Sequence, residues 1–297
     1  EFVAGDVVTL TVNGKPFTGT VDASGNYSIN VPTADLIADT GKTIAASIVA
    51  HDAVGNAGTV SAAHPYLVDT VAPSSATTAI SVNVVTPDNI INSAEAAVAT
   101  TAVTGIVSGE YTAGDIVTIT VNGHTATGTV ASDGTYTVNV LSADLVAETA
   151  QTLTASVAAH DAAGNVGTVS TNHRYVVDTT APNGGVALGL TIDPDTNNDG
   201  TINAAEKGAF TSTDLKASFD KTKVAVGDVL TLSDGVTTKA ITVTATDLSQ
   251  GYVTSTGWTL PADGGTLTVT ATLQDAAGNT TPTAQDVAKI DTTTPNN

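Results

Sequence analysis

The chain has 297 residues, with 41% hydrophobic and 4% aromatic side chains, no Cys and no Met. That is enough apolar material for packed cores in two or three domains. It excludes a disulfide framework, a thiolate zinc site and a cysteine nucleophile. The net charge of −20, from 29 acidic against 9 basic residues, argues against nucleic acid and anionic membrane surfaces as partners. Of the acids, 24 are Asp and 5 are Glu. Asp is the shorter carboxylate, favoured in turns and in hard-cation sites. No apolar run approaches the ~20 residues that span a bilayer, so membrane insertion by this segment is not expected. No Met stands at the start, which reads as an excised piece of something longer.

In chain order, the first marker is Gly5-Asp6 before an alternating run, and the same pair recurs at Gly114-Asp115 and Gly227-Asp228, 109 and 113 residues on. The second is Asp-x-x-Gly-Asn, at Asp52 to Asn56, Asp161 to Asn165 and Asp275 to Asn279, spaced by 109 and 114. The third is Asp-Thr-x-x-Pro, beginning at Asp69, Asp178 and Asp291, again 109 and 113 apart. Three markers on one period define a repeat, and a period above 100 residues suits a whole domain rather than a solenoid unit. The Pro of the third marker sets the boundaries: 1–73, which lacks roughly the first 35–40 residues of the repeat, then 74–182, then a divergent 183–297.

Within 74–182, strands are expected over 79–85 and 98–107, with a short helical hint at 93–97. Residues 117–121 alternate apolar side chains with Thr and end at Asn122-Gly123, a strong hairpin signal. Strands over 136–140, 153–157 and 169–177 follow, with a second helical hint at 142–148. Seven short strands separated by turns read as an antiparallel β-sandwich. In 183–297 a strand is expected over 186–192, and Trp258 reads as core.

Together these motifs resemble the bacterial immunoglobulin-like repeats of giant RTX-type and biofilm-associated adhesins. The matching elements are the Ala-Gly-Asp strand start, the Val-Asn-Gly turn, the Asp-x-x-Gly-Asn loop, the Tyr175 to Pro182 end, and the Ile-Asn-x-Ala-Glu segments at Ile91 and Ile202. The resemblance implies an all-β chain of tandem immunoglobulin-like antiparallel sandwiches arranged end to end as a rod. It implies an extender role: a non-enzymatic, calcium-stiffened spacer in an adhesin anchored to a bacterial outer membrane, secreted and extracellular, serving adhesion or biofilm formation. Its partners would be neighbouring repeats of the same chain, and the segment itself is expected to be monomeric. The alternative is that the domains themselves bind a host glycan or protein.

The acidic loops carry the calcium expectation. In an up-and-down sandwich, Asp115, Asp161 and Asn165 of one repeat should face Asp69 of the repeat before it, and Asp228, Asp275 and Asn279 should face Asp178. Ca²⁺ takes six to eight oxygens from such side chains and from backbone carbonyls. Without a cation, two carboxylates ~5 Å apart repel by roughly 3 kcal/mol at an effective dielectric near 20. The same repeat positions add Asp6, Asp52, Asn56 and Asp291 to the candidates. Each such loop is also an ordinary Asx turn, so repetition at three junctions, not any single loop, favours the ion.

A sharper pattern runs over residues 195–206, which match D-x-[DN]-x-[DN]-G-x5-E in full, as in EF-hand and dockerin loops. Asp195, Asn197 and Asp199 would supply side-chain oxygens, Thr201 its carbonyl, and Glu206 both carboxylate oxygens; Asp193 lies just outside. A strand rather than a helix should precede this loop. Residues 87–95 hold a shortened version, and its Asp88 is a candidate for the junction between 74–182 and 183–297. His51 and His160 share one repeat position, but nothing beside them makes a zinc or catalytic site, and no enzyme motif is present.

Overall fold

The computed structural model describes residues 1–294. The end of the third repeat, with Pro295 of its Asp-Thr-x-x-Pro motif, lies outside the described residues. Two compact units emerge: Glu1–Ala72 with Ala163–Asn165, and the remainder from Pro73 on.

The first unit is one antiparallel sheet. Its elements are β1 (Val7–Val12), β2 (Lys15–Thr20), α1 (Thr33–Ala38), β3 (Thr43–His51) and β4 (Ala57–Pro65), and the strand order is β2-β1-β3-β4. The β1–β2 turn is Asn13-Gly14, both at positive φ (53° and 70°), the twist a two-residue hairpin requires. Val8 and Val12 are buried, while every residue of β4 is exposed. No second sheet covers this one among the described residues of the unit.

The second unit begins with β5 (Thr78–Val82), β6 (Ile90–Ile91), α2 (Ser93–Ala96), β7 (Thr100–Gly109), β8 (Ile116–Val121), β9 (His124–Thr129), β10 (Thr135–Leu141), α3 (Ser142–Ala147), β11 (Thr152–His160), β12 (Val166–Arg174) and β13 (Val176–Val177). A three-stranded sheet, β10-β7-β5, and a four-stranded sheet, β12-β11-β8-β9, bury one cluster between them. Val103 and Val138 come from the first sheet; Val117, Ile119, Leu153 and Val157 come from the second. The alternation expected of strands holds: β10 reads exposed-buried along its whole length. The expected strand over 169–177 is broken: β12 ends at Arg174, and β13 turns away to pair in parallel with β6.

The rest of the unit holds β14 (Gly189–Ile192), β15 (Thr201–Asn203), α4 (Ala204–Lys207), β16 (Ser212–Ser218), β17 (Val229–Ser233), β18 (Thr238–Thr242), α5 (Ala245–Gln250), β19 (Tyr252–Thr259), β20 (Thr266–Gln274) and β21 (Ala284–Asp291). The sheets are β14-β16-β19 and β15-β21-β20-β17-β18, around a second separate core. Trp258 is buried in it, its Nε1 donating to Ser255 Oγ at 3.1 Å. Such paired antiparallel sheets are the immunoglobulin-like sandwich. The second unit thus holds two separate cores, one within 74–182 and one within 183–297, and hydrogen bonds join the 178 region to the 279 loop, as described next.

Candidate metal sites

The 195–206 loop is held by its own carboxylates. Asp195 is buried, and its Oδ1 and Oδ2 accept Asp199 N (3.1 Å) and Gly200 N (2.9 Å). Asn197 Oδ1 accepts Asp199 N at 3.1 Å, and Asn197 Nδ2 donates to Asp199 Oδ2 at 2.9 Å. Asp199 Oδ1 accepts Thr201 N at 2.9 Å. Gly200 has φ +78°, a conformation other side chains enter only with strain. β14 leads in, as expected of a strand. On the far side β15 pairs in parallel with β21, Thr201 against Lys289, so the loop is pinned to a sheet edge. Glu206 then folds back: its Oε1 accepts Thr196 Oγ1 at 3.2 Å. All the donors are hard oxygens on one short loop, the chemistry Ca²⁺ selects.

Glu206 has a second task. Its Oε2 accepts Asn203 N at 3.0 Å while Asn203 Oδ1 accepts Ala205 N and Glu206 N, a complete capping box on α4. Asn92 and Glu95 do the same for α2. This Asn-x-x-Glu spacing lies inside the segment whose sequence pattern points to calcium, and it also starts a helix.

The second candidate is a groove of about 730 Å³ lined by Asp178, Asp228 and Asp275, with Lys223 among its other walls. Asp178 Oδ1 accepts Thr180 N at 3.0 Å. Asp275 is spent on its own turn: Oδ1 accepts Ala277 N (2.9 Å) and Asn279 N (2.8 Å), and Oδ2 accepts Asn279 Nδ2 (3.0 Å). Asn279 is buried and bridges: its Nδ2 also donates to Asp178 O at 2.9 Å, and its Oδ1 accepts Ser93 N at 2.8 Å. The side-chain oxygen expected to face an ion is therefore used by α2, which the sequence did not suggest.

Asp228 is the unusual member. Asp6, Asp115 and Asp228 each accept the amide three residues back, from Val3, Thr112 and Ala225, at 2.8–2.9 Å. Asp6 also accepts His51 N, with His51 Nδ1 at 2.7 Å, and Asp115 accepts His160 N, with His160 Nδ1 at 2.6 Å. The Val3 and His51 amides hold Asp6 down at about 2. Burial alone would raise Asp115, but the Thr112 and His160 amides and the His160 ring outweigh it, and its pKa falls. In the third repeat Gln274 stands where His160 stood, and its amide turns away to Gly278 O at 3.3 Å. Burial, helped by the charge of Asp275, then raises Asp228 above the ordinary carboxyl range.

The remaining candidates are dispersed. Asp52 closes its turn on Val54 N, Asn56 N and Asn56 Nδ2, as Asp275 does. Asp69 Oδ1 accepts Val71 N, and Asn165 Nδ2 donates to Asp69 O at 3.2 Å. Asp161 is buried. Asp88 is exposed, its Oδ1 accepts Thr86 Oγ1 and Ile90 N, and it does not line the groove. Asp193 pairs through its backbone with Asp214, and Asp291 Oδ1 accepts Thr293 Oγ1. The expected convergence is thus only partial: among the described residues, no three His, Asp or Glu side chains are gathered tightly enough to hold an ion as they stand. Like charge holds the carboxylates apart, and neighbouring amides occupy their oxygens.

No protein-family model matches the chain, and no curated protein matches it. Among solved structures, it is similar to a Ca²⁺-stabilized adhesin with which an Antarctic bacterium reaches out and binds ice: 34% identity, TM-score 0.54, 98% of this chain and 66% of that one. It is also similar to a structure bearing on host cell surface retention of a 1.5-MDa bacterial ice-binding adhesin: 31% identity, TM-score 0.58, 99% of this chain and 88% of that one. A bacterial immunoglobulin-like domain from the M. primoryensis ice-binding adhesin is 39% identical over 33% of this chain and 95% of its own, with TM-score 0.31.

Proposed function

The chain belongs to the bacterial immunoglobulin-like repeats of large adhesins, and from that premise we propose that it is a calcium-rigidified extender, three repeats divided near residues 73 and 182. Its role is to hold a ligand-binding tip away from the surface of a bacterium, for adhesion or biofilm growth. The observation that carries the calcium part is the 195–206 loop, in which a buried Asp195 accepts two amides of its own loop and Glu206 folds back to Thr196. Asp195, Asn197, Asp199, the Thr201 carbonyl and Glu206 would hold one ion. A second would draw on Asp178, Asp228 and Asp275 in the groove. A bound divalent ion supplies the positive charge that removes carboxylate repulsion. The chain's own part is to position those oxygens: β15 anchors the loop, and Asn279 ties the 178 segment to the 275 turn.

The adhesin relatives support an extracellular, cell-surface setting and a structural rather than catalytic role. Among the described residues no helix is long and apolar enough to cross a membrane. Small-angle scattering in millimolar calcium and then in EGTA tests the proposal. The extender reading expects flexibility to rise on chelation; scattering that does not change would contradict it. A glycan array on the calcium-loaded chain separates this reading from direct ligand binding by the repeats.

A further inference from the structure

The chain passes from the first core of the second unit to the second through Asp178, and that residue is bonded on both sides. β13 leaves the first core paired with β6, and Asp178 N donates to Ile91 O at 3.0 Å. The carbonyl of the same residue accepts Asn279 Nδ2, from the third repeat, at 2.9 Å. Asn279 is only 2% exposed, and its carboxamide is fully used. Nδ2 also donates to Asp275 Oδ2 at 3.0 Å, and Oδ1 accepts Ser93 N, from the second repeat, at 2.8 Å.

These partners fix the orientation of the side chain, because a backbone N–H can only donate and a carbonyl can only accept. They also fix its identity. A carboxylate at 279 could accept from Ser93 but could donate to neither of the other two groups. Gly278 lets the loop come close: its φ is +88°, and a Cβ there would stand 3.4 Å from Asn92 Nδ2. Asn165, at the same place in the second repeat's loop, makes the first of these bonds again, its Nδ2 donating to Asp69 O at 3.2 Å. A second buried Asn holds the far end of the connecting segment. Asn183 N donates to Lys223 O at 2.8 Å and Asn183 Oδ1 accepts Asp220 N at 2.7 Å, while its Nδ2 donates to Val186 O (3.1 Å) and Ala187 O (3.3 Å).

We propose that Asn279 is an ion-independent latch, which seats the Asp-x-x-Gly-Asn loop of the third repeat on the Asn92-Ser93 turn of the repeat before it. Every bond in the latch runs between a protein donor and a protein acceptor, so the joint closes before any cation arrives. The Asn of the motif then docks a neighbouring repeat rather than ligating an ion. Calcium in the adjoining groove would act on a joint already seated, and the latch holds whether or not that groove takes an ion.

The test measures the joint in the full chain. Because the chain has no Cys, spin labels can be placed on Thr127→Cys and Thr238→Cys, two exposed positions, one in each repeat. Pulsed dipolar spectroscopy then reads the distance between them in EGTA and in calcium. Asn279→Ala removes the whole latch. Ser93→Pro opens it from the other side by deleting the N–H that Asn279 accepts. Pro is favoured at the first helical position, and Asn92, at φ −88° and ψ 179°, already has the extended backbone that precedes Pro. In EGTA the labelled parent should give one narrow distribution. The open fraction should rise roughly two- to tenfold in Ser93→Pro, which loses one bond, and further in Asn279→Ala. If Asn279→Ala fails to fold, Ser93→Pro decides alone. Variant distributions no broader than the parent's would overturn the latch. A parent distribution that is broad in EGTA and narrows only in calcium would overturn it too, while leaving the calcium-rigidified extender standing.

Discussion

The 195–206 loop and the groove at Asp178, Asp228 and Asp275 use the same chemistry in opposite ways. In the loop the oxygens come from one contiguous segment, and backbone amides of that segment hold Asp195 and Asp199 in place. In the groove they come from three segments, and at Asp228 burial and the charge of Asp275 outweigh the one amide it accepts, that of Ala225. Contiguity lets a loop organise carboxylates before any ion arrives. In the groove assembled from distant segments, burial and the charge of Asp275 raise Asp228. The loop thus draws its candidate oxygens from one segment, and the groove from three.

The sharpest break in that comparison is Asp195→Ala. It strips Gly200 N of its acceptor and leaves Asp199 N only Asn197 Oδ1, so it should cost about 1–3 kcal/mol even in EGTA, and the loop's calcium response as well. Calorimetric melting with and without calcium checks it. Glu206→Gln should act only in calcium. Gln can still accept Asn203 N, but one charge is gone. The loss should approach the ~1.4 kcal/mol that a single site gives at about tenfold excess of ion over Kd.

Asp228→Asn should reverse the sign. A carboxyl whose folded pKa is raised contributes stability below its unfolded pKa and loses it as pH rises through the folded value. Neutralising it should therefore stabilise the calcium-free chain slightly at pH 7 while abolishing the groove's response to calcium. Asp6 and Asp115 run the other way. Their lowered pKa values contribute stability above the ordinary Asp range, which is lost as pH falls, for Asp6 through about 2. An acid titration of melting temperature from pH 6 to pH 2 should show that loss, while Asp228→Asn flattens the opposing trend. The smallest effect belongs to Asp178→Ala, which removes one exposed turn bond to Thr180 N, about 0.5–1 kcal/mol, and leaves the loop's calcium affinity unchanged.

The repeat markers and the 2.0-residue alternation made the sandwich legible, because both are local and both survive copying. The 195–206 pattern was legible for the same reason. What the sequence could not carry was anything that depends on a neighbour. Residues 27–31 and 136–140 have the same alternation, yet only the second is a strand, since β7 lies beside it. The Asp-x-x-Gly-Asn loops looked alike in all three repeats, but Asn279 is drawn into bonds with Ser93 and Asp178 that no local pattern records. The His before the loop Asp recurs in the first two repeats, at His51 and His160. Its partner lies 45 residues away in Asp6 and Asp115; in the third repeat Gln274 takes its place, and burial with the charge of Asp275 raises Asp228.

The central claim, that calcium stabilises this chain through built oxygen sites, meets its most direct test in calorimetric calcium titration of the full chain beside its Glu206→Gln variant, with magnesium as the control ion. The account predicts saturable binding with Kd of roughly 10⁻⁴–10⁻³ M, one site lost or weakened in the variant, and a smaller response to Mg²⁺, which demands a tighter octahedral shell. Identical titrations for parent and variant, or equal responses to the two ions, would contradict it.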